Sequence, residues 1–196
     1  MAPTEHTIAS LMSELRTDHR NMVMLLGLLE AEADRFSGGG EPDYDLLESI
    51  MAYVADYPDA VHHPREDQLY RHLKTLHPDL DDSLERVDTD HKELEHEGAR
   101  LRDAIEDLAA GHSSDRNVLI QGLRKYSQHL RKHMYWEEQE LFTLADQVGE
   151  ESIVETKEPA GKSHDPLFGR QAEKRFRRLL NRIQRRMVWD SQQYLG

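Results

Sequence analysis

Apolar positions in this chain recur at helical spacing over four long stretches. Ile8, Leu11, Leu15, Met22, Leu25, Leu26 and Leu29 make one stripe, which predicts a helix from about Thr7 to Phe36. Ser37-Gly38-Gly39-Gly40-Glu41-Pro42 ends it. Leu46, Leu47, Ile50, Val54 and Val61 predict a second helix from about Asp43 to Leu76. Pro58 and Pro64 fall inside it. Each removes a backbone donor and crowds the preceding turn, which predicts a kinked helix or two abutting ones. After His77-Pro78-Asp79, a stripe of Leu84, Val87, Leu94, Leu101, Ile105 and Leu108 predicts a third helix from about Leu80 to Ala110. Gly111-His112-Ser113-Ser114-Asp115 closes it and caps a fourth, from about Asp115 to Val148. Its stripe is Val118, Leu119, Leu123, Tyr126, Leu130, Leu141, Phe142 and Leu144.

Long helices joined by short breaks predict an all-α protein built as an antiparallel up-down-up-down four-helix bundle over residues 1–148. Each helix would be ~45 Å long at 1.5 Å per residue. Residues 149–165 read as a linker. Residues 166–196 read as a basic amphipathic C-terminal helix, from Pro166 to about Trp189, packed on the bundle or on a partner. Phe176, Leu179, Leu180, Ile183 and Met187 form its stripe, flanked by Arg175, Arg177, Arg178, Arg182, Arg185 and Arg186. Trp189 and Tyr194 are further anchors for either arrangement.

Composition narrows the function classes. The hydrophobic fraction is 37%, lean enough to suit helices with one buried stripe each. The chain has no cysteine, which excludes disulfides, thiolate ligands, iron–sulfur clusters and a cysteine nucleophile, and is compatible with a reducing cytosol. No apolar run approaches the ~18 residues of a membrane span, and the N-terminus lacks a signal-peptide pattern. A cytoplasmic protein without a membrane partner is the expectation. The net charge of −13 is uneven: residues 1–161 carry 16 Lys and Arg against 35 Asp and Glu, residues 162–196 carry 9 against 3. The acidic body disfavours nucleic acid, while the basic tail offers a surface for a protein partner or self-association.

One motif occurs twice. His62-His63-Pro64-Arg65-Glu66-Asp67-Gln68 and His133-Met134-Tyr135-Trp136-Glu137-Glu138-Gln139 both read H-x-x-x-E-(D/E)-Q. Positions i and i+4 share a helix face, so each copy aims an imidazole and a carboxylate the same way. That donor set suits a borderline-hard transition metal. A single such pair is more often an exposed local contact; two copies, with His19 and His91 on the other two helices, place six donors at similar heights in a bundle. The candidate shell is His19, His62, Glu66, His91, His133 and Glu137, with Glu66 and Glu137 bridging two metals. His63 projects ~100° round the helix from His62 and reads as an edge position or a solvent one. His129, one turn before His133, reads as a ligand, a donor behind the ligands or a core-edge residue. Glu93-x-x-His96 is a lone E-x-x-H and reads as a solvated pair. Tyr53, Tyr57, Tyr126 and Tyr135 fall within a turn or two of the stripe, as packing residues or as partners of a ferric ion.

The pattern H…HHxxE…H…HxxxE, carried by Asp18-His19-Arg20-Asn21-Met22, Tyr57 to Asp67, His91 and His133 to Glu138, resembles the hemerythrin-like (HHE cation-binding) family across residues 10 to 146. The resemblance implies a four-helix bundle holding two non-heme iron ions, oxygen-bridged and carboxylate-bridged, with His19, His62, Glu66, His91, His133 and Glu137 as ligands and His63 as an additional one. It implies binding of, or reaction with, a small molecule such as dioxygen, peroxide or nitric oxide. Two alternatives stand beside it: an iron or oxygen sensor that acts on a partner through metal-dependent stability, and a metal-binding scaffold without turnover. The dioxygen-carrying members have a second histidine where this chain has Glu95, and H-x-x-x-x-D where this chain has both Glu137 and Glu138. Fewer imidazoles and more carboxylate alter redox potential and open positions, which argues against plain reversible oxygen carriage.

Overall fold

The computed structural model describes residues 4–112, 115–148, 153–156, 165–169 and 173–193, with backbone alone for 4–6, 153–156 and 186–193. Its helices are α1 (Ile8–Ser37), α2 (Tyr44–Tyr57), α3 (His63–Leu76), α4 (Asp81–Ala109), α5 (Arg116–Gln139), α6 (Leu141–Gln147) and α7 (Arg177–Gln193). The starts of α1, α2 and α5 follow from capping chemistry. Thr7 Oγ1 accepts from the Ser10 N–H at 3.1 Å, Asp43 Oδ1 from Leu46 at 3.0 Å, and Asp115 Oδ1 from Asn117 at 2.8 Å. Gly111 closes α4 at φ 77°, a conformation that a Cβ disfavours.

Neighbouring helices pair antiparallel, and their polar contacts record it. Along α1 and α5, Asp34 meets Arg124, Glu30 meets Arg131 and His19 meets Glu138. Along α4 and α5, Glu97 meets Lys125 and Asp90 meets His133. Tyr57 at the end of α2 bonds Asp18 on α1, and Asp56 bonds Arg102 on α4. The apolar stripes form two buried clusters. The larger holds Leu25, Leu26, Leu29, Leu47, Ile50, Tyr53, Ile105 and Leu123; the smaller holds Leu11, Leu15, Leu69, Leu73, Leu141 and Phe142.

The interrupted second helix resolves into two abutting helices. Pro58 has no N–H to donate, and Pro58–His62 winds as one π-turn, with the His63 N–H reaching back to the Pro58 carbonyl. Pro64 sits in the first turn of α3, where no intrahelical donor is needed. The predicted fourth helix also divides, at Glu140 (φ −99°, ψ −67°), where no proline or glycine forces it. The new direction buries Leu141, Phe142 and Ala145 in the smaller cluster. Packing decides that break.

The stretch read as a linker contains a strand. Ile153–Thr156 (β2) pairs antiparallel with Thr4–Thr7 (β1), Thr4 opposite Thr156 and Thr7 opposite Ile153. Both segments are rich in β-branched residues, but four residues are too few for an alternation to be read.

The basic tail starts its helix later than Pro166. Asp165 Oδ1 accepts from the N–H groups of Leu167 and Phe168 at 2.8 and 2.7 Å, which makes a turn. A 3-10 turn, Lys174–Phe176, then leads into α7. Leu167, Phe176, Leu179 and Ile183 are buried in the larger cluster, with Leu180 packed against it. Arg175 pairs with Asp56 at 3.1 Å, Arg178 with Asp45 at 3.6 Å, and Arg182 with Asp43. So this helix and the 3-10 turn before it pack on the bundle, with Arg175 of the turn and Arg178 and Arg182 of the helix on acidic residues of α2 and its cap. The side chains of Met187 and Trp189, and Tyr194 altogether, lie outside the described residues. Asp165 also accepts from the buried Tyr53 hydroxyl at 2.8 Å. Asp165→Ala should therefore cost about 1–3 kcal/mol in urea unfolding, since it orphans that hydroxyl.

Candidate metal centre

Four helices bring the six proposed ligands to one layer between the two apolar clusters. His19 comes from α1, Glu66 from α3, His91 from α4, and His133 and Glu137 from α5; His62 closes the π-turn. His19, His62, Glu66, His133 and Glu137 are all buried. The imidazoles meet in two pairs. His19 Nε2 lies 3.2 Å from His62 Nε2, and His91 Nε2 lies 3.0 Å from His133 Nε2. The carboxylates sit among them. Glu66 Oε1 is 3.0 Å from His62 Nε2 and 3.6 Å from His19 Nε2, while its Oε2 is 3.7 Å from His91 Nε2. Glu137 Oε2 is 3.4 Å from His133 Nε2 and 3.6 Å from His19 Nε2, with Oε1 3.9 Å from His91 Nε2.

Outer carboxylates set the imidazole protons. Nδ1 of His19 contacts Glu138 at 3.0 Å, Nδ1 of His62 contacts Asp18 at 3.2 Å, and Nδ1 of His133 contacts Asp90 at 3.4 Å. An Nδ1–H held by a carboxylate leaves a lone pair on Nε2. In the His19–His62 pair both rings are held this way, and two inward lone pairs 3.2 Å apart repel unless a proton or a cation lies between them. The two carboxylates strengthen that demand. Both Glu66 oxygens and Glu137 Oε2 are buried without a hydrogen-bond partner; the short contact to His62 lacks hydrogen-bond geometry. Orphaned buried anions of this kind are expensive without a cation. The donor set thus fits metal.

The charges respond accordingly. Burial and the neighbouring Glu66 push Glu137 well above the usual carboxylate range. Burial acts the same way on Glu66, but the imidazoles of His62 and His19 outweigh it and hold that carboxyl low. For His62 burial opposes the charged ring, and Glu66 with Asp18 overcomes it, so the imidazole is pushed up to about 10. His91 goes the other way, to about 3, through burial and then the nearby His63.

His63 joins the edge of the layer. Its ring stacks on His91 at 3.7 Å, its Nδ1 reaches Asp59 at 3.2 Å, and it groups with Glu66 and His91 as a possible donor set. His129 stands apart from the six, with Nδ1 on Glu97 at 3.1 Å. Of the tyrosines singled out by position, Tyr53 bonds Asp165, Tyr57 bonds Asp18, Tyr126 reaches the Val54 carbonyl at 3.4 Å, and Tyr135 is 67% exposed. None of these four touches the six donors. Tyr70 does, its hydroxyl donating to Glu137 Oε1 at 2.9 Å.

The sequence held signals for these extra partners. Tyr70 continues the His62–Glu66 stripe by one more i+4 step. Asp-His occurs as Asp18-His19 on α1 and Asp90-His91 on α4. In each case the aspartate holds the H-x-x-x-E histidine of a different helix, Asp18 on His62 and Asp90 on His133. The two halves of the layer are built alike.

A family model described as the Hemerythrin HHE cation binding domain matches residues 10–145. The chain belongs to this family. That span contains every residue of the layer and excludes α7, so the hemerythrin domain is the bundle, and it binds metal. Searches of curated proteins and of solved structures gave no match. Among the described residues, no helix is long and apolar enough to cross a membrane.

Proposed function

We propose that this hemerythrin domain holds two iron ions and uses them to bind, or react with, dioxygen, peroxide or nitric oxide. One observation carries the reading: the two oxygens of Glu66 face opposite imidazole pairs, Oε1 toward His19 and His62 and Oε2 toward His91. A carboxylate so placed would serve two cations at once, with Glu137 completing the layer from α5. When bound, the irons supply redox-active Lewis acidity toward a small ligand.

The chain's own residues set the terms. Glu138, Asp18 and Asp90 fix three of the rings, so Nε2 stays available. Tyr70 holds one oxygen of Glu137 and keeps a proton within reach of the layer. The side chains of His19, His62 and His133 are 2–3% exposed, whereas His91 is 14% and His63 19% exposed. Access is therefore from the His91–His63 side. The same side is where a ring is held by stacking on a neighbouring imidazole.

Purified protein should contain about two irons per chain by elemental analysis, with a near-ultraviolet ligand-to-iron charge-transfer band that changes on adding peroxide or nitric oxide. His62→Ala with His133→Ala removes one donor from each imidazole pair. Iron content unchanged in that double variant would refute the assignment.

A further inference from the structure

A second donor set lies one helical turn from the layer, on the seam between α4 and α5. His129 Nδ1 contacts Glu97 Oε2 at 3.1 Å, and Glu97 in turn accepts from Lys125 Nζ at 2.6 Å. Glu97 thus plays toward His129 the part that Asp18 plays toward His62: it holds the proton on Nδ1 and leaves the Nε2 lone pair free. That lone pair faces Asp90 Oδ1 at 3.9 Å and Glu93 Oε2 at 4.0 Å. Both separations are too long for hydrogen bonds. They suit donors that share an ion, because two atoms each ~2.1 Å from one cation lie at most about 4.2 Å apart.

We propose that Asp90, Glu93 and His129 form a peripheral site for a divalent first-row cation, separate from the central layer. One imidazole and two carboxylates match the preferences of Zn²⁺, Fe²⁺ or Mn²⁺, with water completing the shell. The donors are preorganised: Asp90 and Glu93 lie on one face of α4 at i and i+3, and His129 shares its α5 stripe with His133. Asp90 belongs to both places. Its Oδ2 contacts His133 Nδ1 at 3.4 Å while Oδ1 faces His129, so a cation on the outside pulls on the group that orients a central imidazole. Glu93, which sequence alone pairs with the exposed His96, faces His129 instead.

The test counts metal on the full chain equilibrated with Zn²⁺ at buffered micromolar free concentration. Glu93→Gln is the informative variant, since its side chain is 63% exposed and touches none of the central donors. Wild type should hold one more Zn²⁺ per chain than Glu93→Gln and one more than His129→Ala. The His62→Ala, His133→Ala double variant should still lose one ion when Glu93→Gln is added. That comparison stands whether or not the central layer carries iron, so the two assignments fail separately. Equal zinc content in wild type and Glu93→Gln overturns the site, as does loss in His129→Ala alone.

Discussion

Iron added to the metal-free protein at about a thousandfold excess over its dissociation constant should raise the melting temperature by at least roughly 8–16 °C. Each ion that binds only the folded state at that excess contributes about 4.1 kcal/mol, and a chain of this size shifts by about 2–4 °C per kcal/mol, so one ion already gives that shift and a second adds to it. The structural basis is the layer itself. It joins four helices, and its two carboxylates keep three buried oxygens without hydrogen-bond partners. The metal-free fold therefore carries a penalty that the ions remove. Glu137→Gln separates the two contributions, because it keeps the shape of the side chain and removes its capacity for the negative charge that a cation needs. Burial and Glu66 already push this carboxyl toward its neutral form, so the metal-free variant should melt close to metal-free wild type, while its response to iron collapses. Differential scanning calorimetry with and without iron reads both. A melting temperature indifferent to iron in wild type would remove the proposed role of the layer.

Phe142→Ala should cost about 3–5 kcal/mol, or about 6–20 °C in melting temperature. Phe142 is fully buried in the smaller apolar cluster, and its ring stacks on His19 at 5.2 Å with planes 11° apart. The substitution leaves a cavity and removes one wall of the His19 ring. Iron should then be held more weakly as well, measured by competition with a chelator. Val118→Ala is the matched control: that side chain is 61% exposed and should change stability by no more than about 0.5 kcal/mol. Equal losses from the two variants would deny Phe142 its place in the core.

The layer was legible in the sequence because its chemistry is periodic. His62–Glu66 and His133–Glu137 are i,i+4 pairs, and that spacing survives any arrangement of the helices. Asp18 and Asp90 were harder to find, because each acts on a histidine of a different helix. Adjacency in the chain suggests that an Asp-His dipeptide works as a unit, whereas in the fold the two residues serve different rings. Tyr135 and Tyr70 make the same point. Tyr135 sits two residues from His133 yet faces solvent, and Tyr70, four residues past Glu66, reaches the carboxylate of Glu137. His129 follows the stripe of His133, but one turn of rise carries it out of the layer and onto Glu97.

Read alone, the amino-acid order was enough for the helical class, the outer bounds of the main helices and the six donors that converge on the layer. Each of these is written in local periodicity, caps and breakers, which act within a few residues. Tertiary structure decided the break at Glu140, the β1–β2 ribbon, the docking of α7 on α2, and the partner of every outer carboxylate. Those depend on contacts between residues far apart in the chain. Only packing, which sets which helix faces meet and at what height, selects among them.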